Sequence, residues 1–134
     1  MEITVADILE NKQLAKAKVV AGKKGLKSSV TTVTVGEVPD IAEWLKGGEL
    51  VLSTLYAVGE KTDDQIKFVD KLIKAKACAL LVKPKRFIGK LDAKIIDLAE
   101  KKNFPIIEVP PEIRWTEIVG KIYQQIIGEH LAFQ

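Results

Sequence analysis

Three short runs constrain this chain most: Glu49-Leu50-Val51-Leu52-Ser53, Cys78-Ala79-Leu80-Leu81-Val82 and Pro105-Ile106-Ile107-Glu108-Val109. Each is continuously apolar through its middle, and a stretch of helical periodicity separates each from the next. A strand with one wet face alternates apolar and polar residues, whereas a strand covered on both faces does not. Neighbouring parallel strands need a crossover of a dozen or more residues, which the intervening helical stretches supply. The pattern predicts an α/β fold: a small three-layer α/β/α domain with right-handed crossovers and a mostly parallel sheet of about five strands. A length of 134 residues, 47% hydrophobic, suits one such domain. Residues 1–112 read as its α/β core and 113–134 as a C-terminal amphipathic helix.

The remaining elements follow from local signals. Thr4, with Asp7 three residues on and an Ile3–Ile8 staple, opens a short helix to about Asn11. Lys18–Ala21 reads as a strand stopped by Gly22, and the β-branched run Val30–Val35 as a second strand. Asp40 and Glu43 have the spacing of an acidic capping box for a short helix through Trp44, which Gly47-Gly48 ends with a positive-φ turn. Thr62 with Gln65 caps a helix whose inward face is Ile66, Val69, Leu72 and Ile73. Asp92 opens another, with Ile95, Ile96, Leu98 and Ala99 inward. Trp115, Ile118, Val119, Ile122, Tyr123, Ile126, Ile127 and Leu131 form the stripe of the last helix. That stripe either packs on the sheet or pairs with a second chain, which makes Trp115, Ile118, Val119, Ile122 and Ile126 candidate oligomerisation residues in a homodimer.

Composition narrows the function. Twenty-one basic and eighteen acidic residues leave a net charge of +3, interspersed along the chain. A nucleic-acid binder concentrates its basic residues, so direct DNA contact by this stretch is not expected. One cysteine, Cys78, allows no intrachain disulfide and no thiol set for zinc, and fits the cytoplasm. Glu2 and Asp7 stand where a signal peptide would need a basic start and an apolar run. No apolar stretch is long enough to span a membrane. His130, the only histidine, has no nucleophile beside it in sequence and reads as a solvated helix residue. Cys78 reads as a small buried hydrophobe. Gly47-Gly48 precedes a strand, the wrong order for a phosphate cradle. No catalytic residue, metal or cofactor is assigned, and the chain does not read as an enzyme.

Binding is better supported, because ligands of parallel sheets lodge beyond the strands' carboxyl ends. Glu37, Ser53, Thr54, Lys83 and Glu108 all fall at such ends and form the core of a candidate ligand site for a small hydrogen-bonding metabolite. Asp40, Trp44 and Glu49 complete the candidate set. Each has a structural alternative. Asp40 and Glu43 fit helix caps, Trp44 a core plug as well as a stacking face, and Ser53 and Thr54 strand-end backbone partners. Lys83, with Lys85 and Arg86, either grips an anion or belongs to a solvated loop. Glu37 has no obvious cap to make.

The stretch Gly36-Glu37-Val38-Pro39-Asp40, followed by Trp44-Leu45-Lys46-Gly47-Gly48-Glu49-Leu50-Val51-Leu52-Ser53-Thr54, resembles the amino-terminal domain of the purine catabolism regulator (PucR) family of bacterial transcription factors. Thr4–Leu9 resembles that family's opening helix. Val19-Val20-Ala21-Gly22 with Gly25-Leu26 is similar to its first strand and turn, and Asn103–Pro110 to its closing strand. The likeness covers residues 3 to 128. One departure is Leu55, which follows Thr54 where the family often has Thr-Gly. The resemblance implies a regulatory domain that senses a purine-related or other nitrogen metabolite, self-associates, or both. It also implies a downstream DNA-binding domain and a link to purine or nitrogen-compound catabolism. A ligand-free assembly module using the last helix is the alternative.

Overall fold

The computed structural model describes residues 2–84 and 90–132. Five strands, β1 (Lys18–Ala21), β2 (Thr32–Val35), β3 (Glu49–Ser53), β4 (Ala79–Val82) and β5 (Ile106–Glu108), form one sheet in the order β1-β5-β4-β3-β2. Strands β2 to β5 are parallel, in the registers Val33↔Leu50, Leu52↔Leu81 and Leu81↔Ile107. The edge strand β1 runs antiparallel to β5, pairing Lys18 with Glu108 before a bulge after Val19. Among the described residues, four α-helices, α1 (Val5–Leu9), α2 (Thr62–Lys74), α3 (Ala93–Lys101) and α4 (Trp115–Ala132), flank the sheet.

The apolar runs are continuous because both faces of the central strands are covered. Leu50, Leu52, Leu81 and Ile107 pack with Val5, Ile8, Ile118 and Ile122 of α1 and α4 on one face. Val51, Leu80, Val82 and Ile106 pack with Phe68, Val69, Leu72, Ile95 and Ala99 of α2 and α3 on the other. The expected three-layer α/β architecture, mostly parallel sheet and C-terminal helix are therefore present.

Caps decide where several elements begin. Thr4 and Asp7 make the expected reciprocal box, at 3.2 Å and 2.9 Å. The helix ends at Leu9, short of Asn11, because the Asn11 side chain accepts from Gln13 N (3.0 Å) and starts a 3₁₀ turn over Lys12–Leu14. Asp92 caps α3 through Lys94 N at 2.8 Å. Two expected caps are not made. Asp40 precedes a 3₁₀ turn over Ile41–Trp44 without a side-chain capping bond. Its backbone (φ −100°, ψ 20°) lies outside the extended region from which a cap reaches back. Thr62 is already the first residue of α2, and the cap position falls on Lys61, which makes no side-chain capping bond.

Gly22 turns the chain off β1 with φ 72°, and a Cβ there would collide with the Phe104 carbonyl. Gly25 stands equally close to the Asn103 carbonyl. Two segments some eighty residues apart in sequence thus meet backbone to backbone.

Candidate functional site

The parallel strands bring Glu37, Ser53, Lys83 and Glu108 to one end of the sheet, but onto different parts of it. Glu37 follows β2, whose last bond to β3 is Gly36 N donating to Leu52 O at 2.7 Å. Its Oε1 accepts from Ser53 Oγ (3.0 Å) and Thr54 N (3.0 Å). Its Oε2 accepts from Thr54 Oγ1 at 2.8 Å. The two hydroxyls also accept, Ser53 Oγ from Leu55 N at 3.0 Å and Thr54 Oγ1 from Tyr56 N at 3.3 Å. Leu55, held by this turn, has φ 62° and a fully buried side chain. A left-handed backbone costs a branched residue about 1–2 kcal/mol, here offset by burial. Glu37, Ser53 and Thr54 therefore do meet, and what they engage is one another. Their geometry is a clamp joining the ends of β2 and β3.

Glu108 does not join that clamp. Strands β3 and β4 lie between β2 and β5, and at about 4.8 Å per strand spacing the two ends stand roughly 14 Å apart. Glu108 instead lines a cavity of about 640 Å³ on the α2/α3 face, with Thr62, Gln65 and Asp92. A second cavity, of about 330 Å³, meets Glu108 beside Lys16, Lys18 and Pro84. Neither cavity is lined by Glu37, Ser53 or Thr54. Glu37, Ser53 and Thr54 thus meet one another, and Glu108 stands apart from them.

Lys83 projects to the other face. It is only 6% exposed, and its Nζ lies 4.0 Å from the ring centroid of Trp115, the first residue of α4. A desolvated cation over an indole is worth up to about 2 kcal/mol. Lys85 and Arg86, and the side chains of His130 and Leu131, lie outside the described residues.

Three further candidates sit elsewhere. Glu49 begins β3, so it lies at the amino end of the sheet. It is buried and accepts from Lys46 N (2.7 Å) and Gly47 N (2.9 Å), which makes it the cap of the glycine turn. Asp40 is exposed beside the 3₁₀ turn. Trp44 is 72% exposed, so the core-plug reading is wrong: Ile41, Ala42 and Leu45 pack inward while Trp44 faces solvent. Of the helix stripe, Ile118 and Ile122 are fully buried in the domain's own core, and Trp115, Val119 and Ile126 pack against it. The stripe packs on the sheet, leaving Tyr123 and Ile127 as its outward residues. Cys78, just before β4, has its thiol pushed from 9.0 to about 12 by burial, with the Glu49 charge adding and a backbone hydrogen bond opposing. It is a poor nucleophile.

Sequence reasoning missed the crevice formed by α2 and α3. Gln65 is 3% exposed, and its Nε2 donates to Gly59 O at 2.9 Å. Thr62 Oγ1 donates to Asp92 Oδ2 at 3.3 Å, tying the first turns of the two helices. The signal was Gln65 itself, a polar residue in register with buried Phe68, Val69 and Leu72.

The connections explain why a crevice opens here. β3 and β4 lead to α2 and α3 on one face, whereas β5 leads to α4 on the other. The helices that follow β4 and β5 therefore lie on opposite faces, and such a switch of sides is where open α/β sheets hold ligands. Residues 7–126, which hold every strand, the clamp and this crevice, match the PucR family, described as purine catabolism regulatory protein-like. The chain belongs to that family. It is 29% identical over 125 residues to the purine catabolism regulatory protein of Bacillus subtilis (strain 168), a match covering 93% of this chain and 24% of that protein. The chain thus spans about a quarter of the length of this curated relative. Its fold is similar to the CBS and DRTGG domains of the regulatory region of Clostridium perfringens pyrophosphatase, solved with the activator diadenosine tetraphosphate. That likeness has a TM-score of 0.53 and 20% identity, covering 80% of this chain and 41% of the other. Among the described residues no helix is long and apolar enough to cross a membrane.

Proposed function

We propose that this chain is the regulatory domain of a cytoplasmic transcription regulator, sensing a small nitrogen-containing metabolite at the carboxyl ends of its parallel strands. The observation that carries this reading is the Lys83–Trp115 contact. Lys83 directly follows β4, and its partner opens α4. A ligand that binds one placement of Lys83 better than another would bias the position of α4, since only differential affinity shifts an equilibrium. The family and the Bacillus subtilis relative support purine or related nitrogen-compound catabolism as the process controlled. Within a regulator of that relative's length, DNA contact falls to segments outside this stretch. The reading is of a sensor and assigns no catalysis.

The test is a thermal-shift screen of the domain against purines, ureides, amino acids and nucleotides, read alongside tryptophan emission in a Trp44→Phe variant. Trp115 is then the sole tryptophan. An effector that raises the melting temperature and shifts Trp115 emission is the expected result. Stabilisation without a change at Trp115 would sink the coupling, and a silent panel would sink the sensor.

Self-association through α4 is a second reading, favoured by Tyr123 and Ile127, which stay 41% and 54% exposed after the helix has packed. Sedimentation of Ile127→Lys tests it: a dimer in the parent and a monomer in the variant support assembly. Truncating α4 would not, because losing Ile118 and Ile122 opens the core.

A further inference from the structure

We infer that the crevice between the first turns of α2 and α3 is the ligand site, and that it takes a small molecule with adjacent N–H donors of the urea or amidine type and no phosphate. This rests on the small-molecule reading above and names its place and chemistry. Four observations converge. The crevice, about 640 Å³, is within the size range of small-molecule pockets and sits where the chain switches sides of the sheet. Its apolar floor is Val20, Leu91 and Ile96, enough to hold a flat ring.

The second observation is Gln65. Its Nε2 is committed to Gly59 O, which leaves its Oε1 as an acceptor with no partner among the described residues. Among those residues the one sealed-off polar side-chain atom without a partner is Trp115 Nε1. Gln65 Oε1 is therefore not sealed off, and the opening it has is the crevice that Gln65 lines. A glutamine 97% buried thus keeps one carbonyl acceptor open to the crevice, where water or a ligand N–H can bond it.

Third, the first turn of α2 carries no side-chain cap, so its leading N–H groups remain as donors for a ligand carbonyl. Fourth, acceptors dominate the wall. Among the described lining residues, Glu60, Glu108 and Asp92 stand with Gln65 Oε1 against one cation, Lys90, with Asp92 already bonded to Thr62 and Lys94 N. Asp63 and Asp64 add negative charge in the same turn of α2. A carboxylate such as Glu108 takes two parallel N–H groups, as urea and amidine present them. The same charges repel phosphate, so the site differs in kind from one for a nucleotide.

The experiment is a ¹⁵N-correlation titration of the domain with four named probes. Benzamidine and phenylurea carry paired N–H donors on a ring, cationic and neutral. Acetophenone has the ring without the donors, and adenosine monophosphate supplies a phosphate. Benzamidine, phenylurea or both should move the amides of Gln65, Asp92 and Glu108, and whichever binds tells which charge the site prefers. Acetophenone and the nucleotide should bind at least tenfold more weakly. Glu108→Gln, which keeps the size of the side chain, should weaken the binding probe about tenfold, and Gln65→Met should abolish its shifts. If Gln65→Met fails to fold, Glu108→Gln decides alone. Equal shifts from acetophenone or the nucleotide, silence of both donor probes, or unchanged affinity in Glu108→Gln would overturn the assignment. Silence here, with an effector found by thermal shift that perturbs Glu37 and Thr54, would remove this crevice and leave the sensor reading standing.

Discussion

Glu37 is the residue whose replacement separates a clamp from a ligand contact. Its carboxylate accepts from three donors, Ser53 Oγ, Thr54 N and Thr54 Oγ1, at 2.8–3.2 Å. Hydrogen bonds to a charged partner are each worth about 1.5–3 kcal/mol when buried. Glu37 is only half-buried, so water can replace part of what is lost, and we take about 2 kcal/mol in all for Glu37→Ala. With an unfolding entropy of about 2.1 cal/mol/K per residue, that lowers the melting temperature of a domain this size by roughly 7 °C. Glu37→Gln keeps one acceptor but turns an N–H₂ toward donors, and should recover no more than about half of the loss. Urea denaturation followed by circular dichroism gives the same difference as a midpoint shift at constant slope. A melting temperature for Glu37→Ala within about 1 °C of the parent would refute the clamp, because bonds with that geometry would then contribute nothing net. If Glu37→Ala instead left stability intact and abolished an effector's response, the ligand contact would be restored as its role.

Three further outcomes follow from the same geometry. The Cys78 thiol, raised by burial from 9.0 to about 12, holds its proton more tightly folded than unfolded. That stability is fully present below pH 9 and is lost as pH rises toward 12, at up to about 1.4 kcal/mol per pH unit. Cys78→Ala should flatten this part of the alkaline stability profile measured by urea titration, and an unchanged profile would contradict the burial. Gly22→Ala places a Cβ against the Phe104 carbonyl at φ 72°, so soluble expression and cooperative melting should both be lost; a folded variant would mean that β1 and the Asn103–Pro105 segment can separate. Tyr123 OH donates to Val33 O at 3.2 Å, on the outer edge of β2. Tyr123→Phe should cost about 1 kcal/mol by urea denaturation and leave the slope unchanged.

The architecture was legible because it depends on patterns that survive in a single chain. Continuous apolar runs imply two covered faces whatever covers them, and Thr4–Asp7 and Asp92 cap through local bonds. What failed depended on small backbone rotations or on distance across the sheet. Asp40–Glu43 has capping spacing, yet Asp40 sits at ψ 20°, and no spacing rule reports that angle. Trp44 lies between inward-facing Ile41 and Leu45, and a 3₁₀ turn rather than an α-helix sends it outward. The candidate site was half legible. Adjacent strands guaranteed that Glu37 would meet Ser53 and Thr54, whereas Glu108 required the strand order, which puts β4 and β3 in between. Gln65 was hidden for another reason: its spacing from Thr62 looked like a capping box, and that explanation covered the anomaly of a polar residue on a buried face.

That strand order also gives the two ends of the sheet different characters. At β2 and β3 the ends are locked by Glu37, so a ligand entering there would first have to break charge-assisted bonds to a backbone N–H and two hydroxyls. At β4 and β5 the following helices take opposite faces, with the Gln65 acceptor, unpartnered among the described residues, on one side and a cation packed against α4 on the other. The register Val82↔Glu108 puts Glu108 beside the residue that precedes Lys83. Alternation along the strand directs Glu108 to the crevice and Lys83 to the terminal helix. On the proposed sensor reading, a molecule that displaced the β4–β5 ends would act on both faces at once, against the clamp at β2–β3.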